Sequence, residues 1–77
     1  MFAVCVTFDL SPDALVSFLP AVKAQARASL REEPECHRFD VCVRGETVFL
    51  YELYTDAAAF DAHLATEHFR DFDAATK

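Results

Sequence analysis

The chain is poor in basic residues. Its 77 residues include seven Lys and Arg against thirteen Asp and Glu, and its formal net charge is -6. The seven cations are scattered along the sequence, whereas binding to a phosphate backbone needs clustered Lys and Arg. We therefore expect neither a nucleic acid nor an acidic membrane surface as a partner.

Long apolar runs are also missing. No stretch approaches the ~20 residues of a membrane-spanning helix, and the N-terminus lacks a basic region followed by a long hydrophobic core. The three cysteines form no CxxC motif. On a shared strand, Cys36 and Cys42 would lie ~20 Å apart at ~3.3 Å per residue, too far for a disulfide. Because free thiols persist in a reducing compartment, we predict a cytoplasmic protein.

Apolar residues, by contrast, are abundant. The chain is 53% hydrophobic and contains eight Phe but a single Gly, a composition that excludes a disordered protein. A chain of this length forms one domain, residues 1–77, and buries only about 60% of the surface exposed by its unfolded form. Surplus apolar surface is often shared between subunits, so we predict a homodimer.

The first part of the sequence predicts a strand and a long helix. "MFAVCVTFDL" alternates apolar residues on one face, as a strand does. Ser11 and Pro12 are typical of a helix N-cap and first position. Pro20 should kink or split the helix, and Pro34 should end it. The expected apolar stripe comprises Leu15, Phe18, Leu19, Val22, Ala26 and Leu30.

Two further strands follow as a hairpin. "CHRFDVCV" and "TVFLYELY" are joined through "RGE", where Gly45 suits a tight turn. Apolar residues occur on both faces of these strands, which favours a sheet covered on both sides: by helices on one side and by a second subunit on the other. On the first of these strands, one face should carry His37, Phe39, Val41 and Val43, and the other Cys36, Arg38, Asp40 and Cys42. On the second, one face should carry Phe49, Tyr51 and Leu53, and the other Val48, Leu50, Glu52 and Tyr54.

The chain ends in two short helices. Asp56 is the expected N-cap of "AAAFDAHLA", whose inward residues should be Phe60, His63 and Leu64. Thr66 should cap "EHFRDFDAATK". The resulting order predicts an α+β, ferredoxin-like βαββα(α) fold with an antiparallel sheet, without the usual closing fourth strand.

Residues 33–72 resemble a known family. "EPECHRFDV" followed by "FLYELYTDAAAFDAHLATEHFRDF" is similar to the antibiotic biosynthesis monooxygenase domain, whose members carry a Glu-Pro-Gly-Cys-like turn, an Arg-Phe-Asp-Val-like strand, a Tyr-Glu-x-Tyr strand and a closing His-x-x-Thr-x-His-Phe. The resemblance implies a dimeric α/β barrel with a small-molecule pocket between the sheet and helices of each subunit. Glu67 stands where relatives usually have Pro, and both residues suit a first helical turn.

The family is chemically diverse, so the fold does not fix the activity. The relatives implied by the resemblance include cofactor-free oxygenases of anthrones and quinols, haem-degrading enzymes, and an isomerase of a phosphorylated dicarbonyl sugar of the autoinducer-2 type. The chain contains no Trp and no Asn, residue types that the anthrone oxygenases and haem-degrading relatives use at the reaction centre. Those two activities therefore fit the sequence less well.

Two histidines are the candidate catalytic residues. His63 should face the pocket, and an imidazole can accept a proton near neutral pH, as both a cofactor-free oxygenase and an isomerase require. His68 could contact a ligand oxygen or support His63. They are five residues apart across a helix break, unlike the usual same-face spacing of three or four, and no third ligand is evident. We predict no metal and no other cofactor.

Further residues are assigned by their positions in the predicted strands and helices. The candidate substrate-binding residues are Tyr51, Phe39, Phe60 and Phe69. Arg38, Asp40 and Glu52 are expected to form a polar network that is structural or lies in the dimer interface.

Three functions remain open at this level. The leading hypothesis is oxidation of a quinol-like or polycyclic aromatic by O2 without a cofactor. The second is the phosphosugar isomerase, for which Lys23, Arg27 and Arg31 are the available phosphate ligands. The third is a non-catalytic dimer that binds a small ligand or acts in a stress response.

Overall fold

A computed structural model describes residues 1–76, and the predicted end of the domain at Lys77 lies outside them. The predicted order of elements is confirmed. The bounds are β1 Phe2–Asp9, α1 Pro12–Glu32, β2 Cys36–Arg44, β3 Thr47–Tyr54, α2 Ala57–Leu64 and α3 Glu67–Thr76. The three strands form an antiparallel sheet in the order β1-β3-β2. This is the predicted α+β, ferredoxin-like arrangement.

The helix ends follow the local sequence. Ser11 accepts a hydrogen bond from the backbone of Ala14, and Asp56 does the same for Ala59 at 2.8 Å. Thr66 accepts one from Phe69 at 3.2 Å. Each bond satisfies a backbone donor that the first helical turn cannot satisfy itself, so the three predicted N-caps are confirmed.

Pro20 does not split α1, which was one of the two predicted effects of this proline. The helix is continuous from Pro12 to Glu32 with Pro20 at an exposed position inside it. An interior proline costs about 3 kcal/mol. The neighbouring Phe18 and Val22 are buried, and burial of each contributes roughly 1.5–3 kcal/mol. Packing of the core face therefore offsets the local penalty.

One sheet face packs under the helices and forms the core. Its residues from β3 are Val48, Leu50, Glu52 and Tyr54, all buried, and β1 adds Val4, Val6 and Phe8 from the same face. From α1 the core takes Phe18, Val22 and Ala26. The predicted apolar stripe is wrong at Leu30, which is 48% exposed, because α1 turns Ser29 inward at this level instead.

A bulge in β2 changes the predicted face of one cysteine. The register shifts between Cys36 and Arg38, so that Cys36 pairs with Tyr54 while Phe39 pairs with Glu52. The extra residue, His37, is exposed and hydrogen-bonds Thr55. A bulge reverses the alternation of side chains, and Cys36 therefore lies on the buried face with Phe39.

The opposite sheet face is exposed in the protomer. Phe49 is 38% exposed, and Tyr51 and Leu53 are only partly covered. The expected ion pair of Arg38 with Asp40 forms here, at 2.7 Å, where exposed pairs contribute about 0–1 kcal/mol. Glu52 does not join this pair, contrary to expectation, because the register of β3 places it on the buried face.

Candidate functional site

A carboxylate and two imidazoles meet where the three helices approach one another. Glu33 is the C-cap residue of α1, His63 lies in the last turn of α2, and His68 lies in the first turn of α3. His63 Nδ1 is 2.8 Å from Glu33 Oε2, and His68 Nε2 contacts the same oxygen. We call these three residues the His–Glu–His cluster.

Local sequence positions each member of the cluster. Pro34 forces Glu33 out of helical conformation, with φ -106° and ψ 105°. Thr66 lies between α2 and α3. Its hydroxyl donates to His63 O at 2.7 Å and accepts from the backbone N–H of Phe69 in the first turn of α3. The helix break that separates His63 from His68 therefore brings both rings to one carboxylate.

The hydrogen bonds assign a proton position on each ring. An ionised carboxylate only accepts, so His63 donates from Nδ1 and His68 donates from Nε2. In a neutral imidazole the other nitrogen is then an acceptor. Glu33 thus leaves Nε2 of His63 and Nδ1 of His68 with free lone pairs.

His63 is enclosed by aromatic rings. Its side chain is 2% exposed, and its ring lies 5.3–6.0 Å from those of Phe39, Tyr54, Phe60, His68 and Phe69. The sequence predicted an open pocket at this position, between the sheet and the helices. The structure instead fills that space with side chains, because Tyr54 and Phe39 extend from the sheet to the helices.

The open cavity lies between α1 and α3. It is a groove of about 790 Å³. Glu33 and His68 reach it, with side chains 12% and 14% exposed, but His63 does not. The lining residues are Ala21, Ala24, Gln25, Ala28, Arg31, Glu32, Glu33, Thr66, Glu67, His68, Asp71, Phe72 and Ala75. Of the two candidate histidines, His68 is therefore the one that a ligand in this groove can touch.

The groove has an apolar wall and an acidic rim. Four alanines and Phe72 supply the wall, and four carboxylates stand against the single guanidinium of Arg31. That guanidinium is paired with Glu32 at 2.8 Å. Gln25 is 3% exposed, and its Oε1 is buried without a hydrogen-bond partner among residues 1–76. The groove surface therefore combines an apolar wall with an excess of carboxylates, and the unpartnered oxygen of Gln25 lies beneath that surface.

The predicted substrate-binding residues do not gather in this groove. Tyr51 lies on the other face of the sheet, opposite Cys5 and Asp40. Phe39 belongs to the core, while Phe60 and Phe69 contact the ring of His63. Phe72 is the aromatic residue that lines the groove. The strand alternation alone places Tyr51 away from the helices.

A second polar pair is buried beside the cluster. Tyr54 donates to Glu52 Oε1 at 2.6 Å, and both side chains are buried. Burial raises the pKa of Glu52, and the bond from Tyr54 and the nearby His63 oppose that rise. The pKa of Tyr54 is also raised, by burial and then by Glu52. Burial, followed by the charges of Glu33 and Glu52, raises the pKa of Cys36 to about 11, so this thiol is a poor nucleophile.

Sequence reasoning missed Glu33. It lies thirty residues before His63, and no spacing rule connects a helix C-cap to a histidine three elements later. The sequence feature that could have pointed to Glu33 is its position directly before Pro34, in the turn that carries the family resemblance. No third ligand was evident from the sequence, whereas the structure places the Glu33 carboxylate beside both histidines.

Comparisons with known proteins agree with this architecture. The fold is an α+β, ferredoxin-like arrangement with an open groove between α1 and α3. A sequence model of the antibiotic biosynthesis monooxygenase family matches residues 1–75. The chain belongs to this family. A search of curated protein sequences finds no match.

Solved structures of the family superpose closely. An antibiotic biosynthesis monooxygenase is 30% identical with a TM-score of 0.86, covering 96% of this chain and 80% of its own. A candidate antibiotic biosynthesis monooxygenase from Nitrosomonas europaea is 26% identical with a TM-score of 0.90, covering 97% and 81%. Another from Bacteroides thetaiotaomicron is 25% identical with a TM-score of 0.91, covering 96% and 73%. None of the helices in residues 1–76 is long and apolar enough to cross a membrane.

Proposed function

We propose that this protein is a cofactor-independent monooxygenase that oxidises a quinol-like or polycyclic aromatic substrate with O2 in the groove between α1 and α3. The observation that carries the proposal is the His–Glu–His cluster at one end of an apolar groove. His68 lines the groove, and Glu33 connects it to His63. Membership of the family supports the same reaction class.

The groove suits a flat, largely apolar ligand. Its volume of about 790 Å³ lies within the roughly 300–1,000 Å³ of typical ligand sites. The alanines of α1 present methyl groups rather than long side chains, which leaves room for a ring system beside Phe72.

The cluster supplies the proton acceptor. Nδ1 of His68 takes the proton of a phenolic hydroxyl, and the resulting anion is electron-rich enough to give electrons to O2. One oxygen atom is retained on carbon. The other leaves as water with the two hydrogens of the substrate, so that SH2 + O2 gives SO + H2O. Glu33 holds the ring of His68 in the tautomer that this transfer requires.

Oxygen uptake tests the proposal. EDTA-treated protein is given menadiol-type quinols, and the rate without protein is subtracted. His68→Ala should lower the rate by ~10²–10⁴-fold, as expected for loss of the general base. Glu33→Gln should lower it by a smaller factor, because it removes only the partner that orients the base. His37→Ala is the matched control, because His37 is exposed and contacts Thr55 rather than the cluster. Equal rates for wild type and His68→Ala would refute the assignment.

The phosphosugar isomerase is disfavoured by charge. A phosphate in this groove would face four carboxylates and a guanidinium that already pairs with Glu32. Lys23 and Arg27 are exposed and do not line it. Ligand binding without oxygen uptake in the same assay would instead support the non-catalytic binding module.

We also infer that the protein is a cytoplasmic homodimer that joins through the exposed sheet face. Partly covered Phe49, Tyr51 and Leu53 lie on this face of β3, and apolar surface of this kind is typical of a subunit interface. Three free thiols support the reducing compartment. Light scattering should report twice the protomer mass, and Phe49→Lys should shift the measured mass towards that of the monomer.

A further inference from the structure

We propose that the His–Glu–His cluster is a binding site for a divalent transition-metal ion of the Zn²⁺ class. Glu33, His63 and His68 each offer one ligand atom, and these atoms all lie within 4.8 Å of one another. Around an ion with bonds of ~2.1 Å and tetrahedral angles, ligand atoms lie ~3.4 Å apart. Glu33 Oε2 and His63 Nδ1 are 2.8 Å apart, so adjustments of about an ångström would admit the ion.

The donor set selects the kind of ion. Two imidazole nitrogens and one carboxylate oxygen match the three protein ligands of open zinc sites and the two-histidine, one-carboxylate sites of iron. Ca²⁺ and Mg²⁺ prefer sites built from oxygen atoms alone. Zn²⁺, Co²⁺, Ni²⁺ and Fe²⁺ should therefore bind much more tightly than Mg²⁺.

The surroundings suit a site with open coordination positions. Three different helices hold the ligands, and the rings packed around His63 fix its orientation. Ser29 Oγ lies 3.5 Å from the ligating nitrogen of His63 and donates to Gln25 O. Glu33 and His68 border the groove, which gives a bound ion access to water or to a ligand. The acidic rim, comprising Glu32, Glu67 and Asp71, raises the local concentration of cations.

Metal binding has a consequence for the proposed oxidation, and this step alone rests on that function. An ion bound at Nε2 of His68 forces the proton of the neutral ring onto Nδ1. Nδ1 then has no lone pair with which to deprotonate a phenol. Zn²⁺ should therefore inhibit the metal-free reaction while it occupies the cluster.

Binding is measured without substrate, so its outcome is separate from that of the oxygen assay. Full-length EDTA-treated protein is titrated with ZnCl2 in a calorimeter and with CoCl2 in a spectrophotometer. We expect one Zn²⁺ per chain, a tetrahedral or five-coordinate Co²⁺ absorption spectrum, and at least ~100-fold weaker binding of Mg²⁺.

Three variants test which residues bind the ion. His68→Ala and Glu33→Gln should each weaken Zn²⁺ binding by ~10-fold or more, and both replace partly exposed side chains at the rim of the groove. His37→Ala should leave binding unchanged. Circular dichroism establishes that each variant is folded.

Three outcomes would overturn the inference: no Zn²⁺ bound by the wild type, equal affinity in His68→Ala and the wild type, or loss of binding in His37→Ala, which would place the ion on the surface at His37 instead. Oxygen uptake that survives EDTA treatment would leave the proposed oxidation standing in each of these cases. Oxygen uptake that requires Zn²⁺ or Fe²⁺ would refute the cofactor-free mechanism but retain the metal site.

Discussion

Removal of one hydroxyl group, in Tyr54→Phe, should destabilise the protein strongly. Tyr54 is fully buried, and its hydroxyl donates to Glu52, which is 4% exposed, at 2.6 Å. The substitution keeps the aromatic ring and its packing on Phe60 and His63. It leaves a buried carboxylate without its donor, and the loss of a hydrogen bond to a charged group costs about 1.5–3 kcal/mol.

That free energy is large enough to measure by ordinary unfolding experiments. In a domain of this size each kcal/mol shifts Tm by ~4–8 °C, so the expected decrease is ~6–24 °C. Urea unfolding should give the same order of stability. All variants are compared at one protein concentration, because any association between chains would make stability depend on concentration.

Tyr51→Phe provides the matched control. It removes the same hydroxyl group from the opposite face of β3, where Tyr51 is partly exposed. We expect a change within about 0.5 kcal/mol. Equal losses in the two variants would show that the Tyr54 hydroxyl contributes nothing specific, and the reasoning would be refuted.

The pH dependence identifies the acceptor. The bond from Tyr54 lowers the pKa of Glu52, against the larger rise caused by burial, so it stabilises the ionised carboxylate. The cost of Tyr54→Phe should therefore increase as the pH is raised and Glu52 ionises. In a Glu52→Gln background the cost should fall, and a double-mutant cycle measures the difference. A cost that is independent of both pH and background would contradict this account.

The remaining predictions concern single positions. Burial raises the pKa of Glu52 on folding, so ionisation of this group lowers the free energy of unfolding as the pH rises above its pKa in the unfolded chain. Glu52→Gln should therefore unfold at a higher temperature than the wild type at pH 7 but not below pH ~4. Asp56→Ala removes the cap of α2 and should cost about 0.5–2 kcal/mol in urea unfolding, whereas Asp56→Ser should cost less. Gly45 has φ +59°, so Gly45→Ala should destabilise by about 1 kcal/mol, and Gly45→Asn by less, in the same assay. Cys36, with a pKa of about 11, should react with a thiol reagent at pH 8 far more slowly than the two exposed cysteines. The fast phase of the reaction should therefore persist in Cys36→Ser, and its loss in that variant would contradict this prediction.

Local chemistry in the sequence was enough to predict the elements. Ser11, Asp56 and Thr66 cap helices in the structure because a side-chain oxygen placed before a helix finds its backbone donor within three residues. The alternation in β3 correctly separated Tyr51 from Tyr54, since successive side chains of a strand point to opposite faces. The family resemblance in residues 33–72 was confirmed over a longer range, residues 1–75.

The errors occurred where one element adjusts to another. Leu64 was predicted to face inward but is 39% exposed. Its exposure depends on the angle at which α2 meets the sheet, and periodicity does not give that angle. The bulge at His37 moved Cys36 to the buried face, although nothing in "CHRFDVCV" marks an extra residue. The groove lies between α1 and α3 rather than over the sheet because the long side chains of Tyr54 and Phe39 fill the space above the strands.

The sequence by itself determined the order of strands and helices, their caps, and the placement of two histidines around a helix break, because each depends on interactions between residues within a few positions of one another. Only the tertiary structure decided that Glu33 joins these histidines and that His68, rather than His63, reaches the groove. Both facts depend on the packing of α1 against α2 and α3, which are distant from it in sequence. The distances between their side chains are set by how the core is filled, and no local pattern records them.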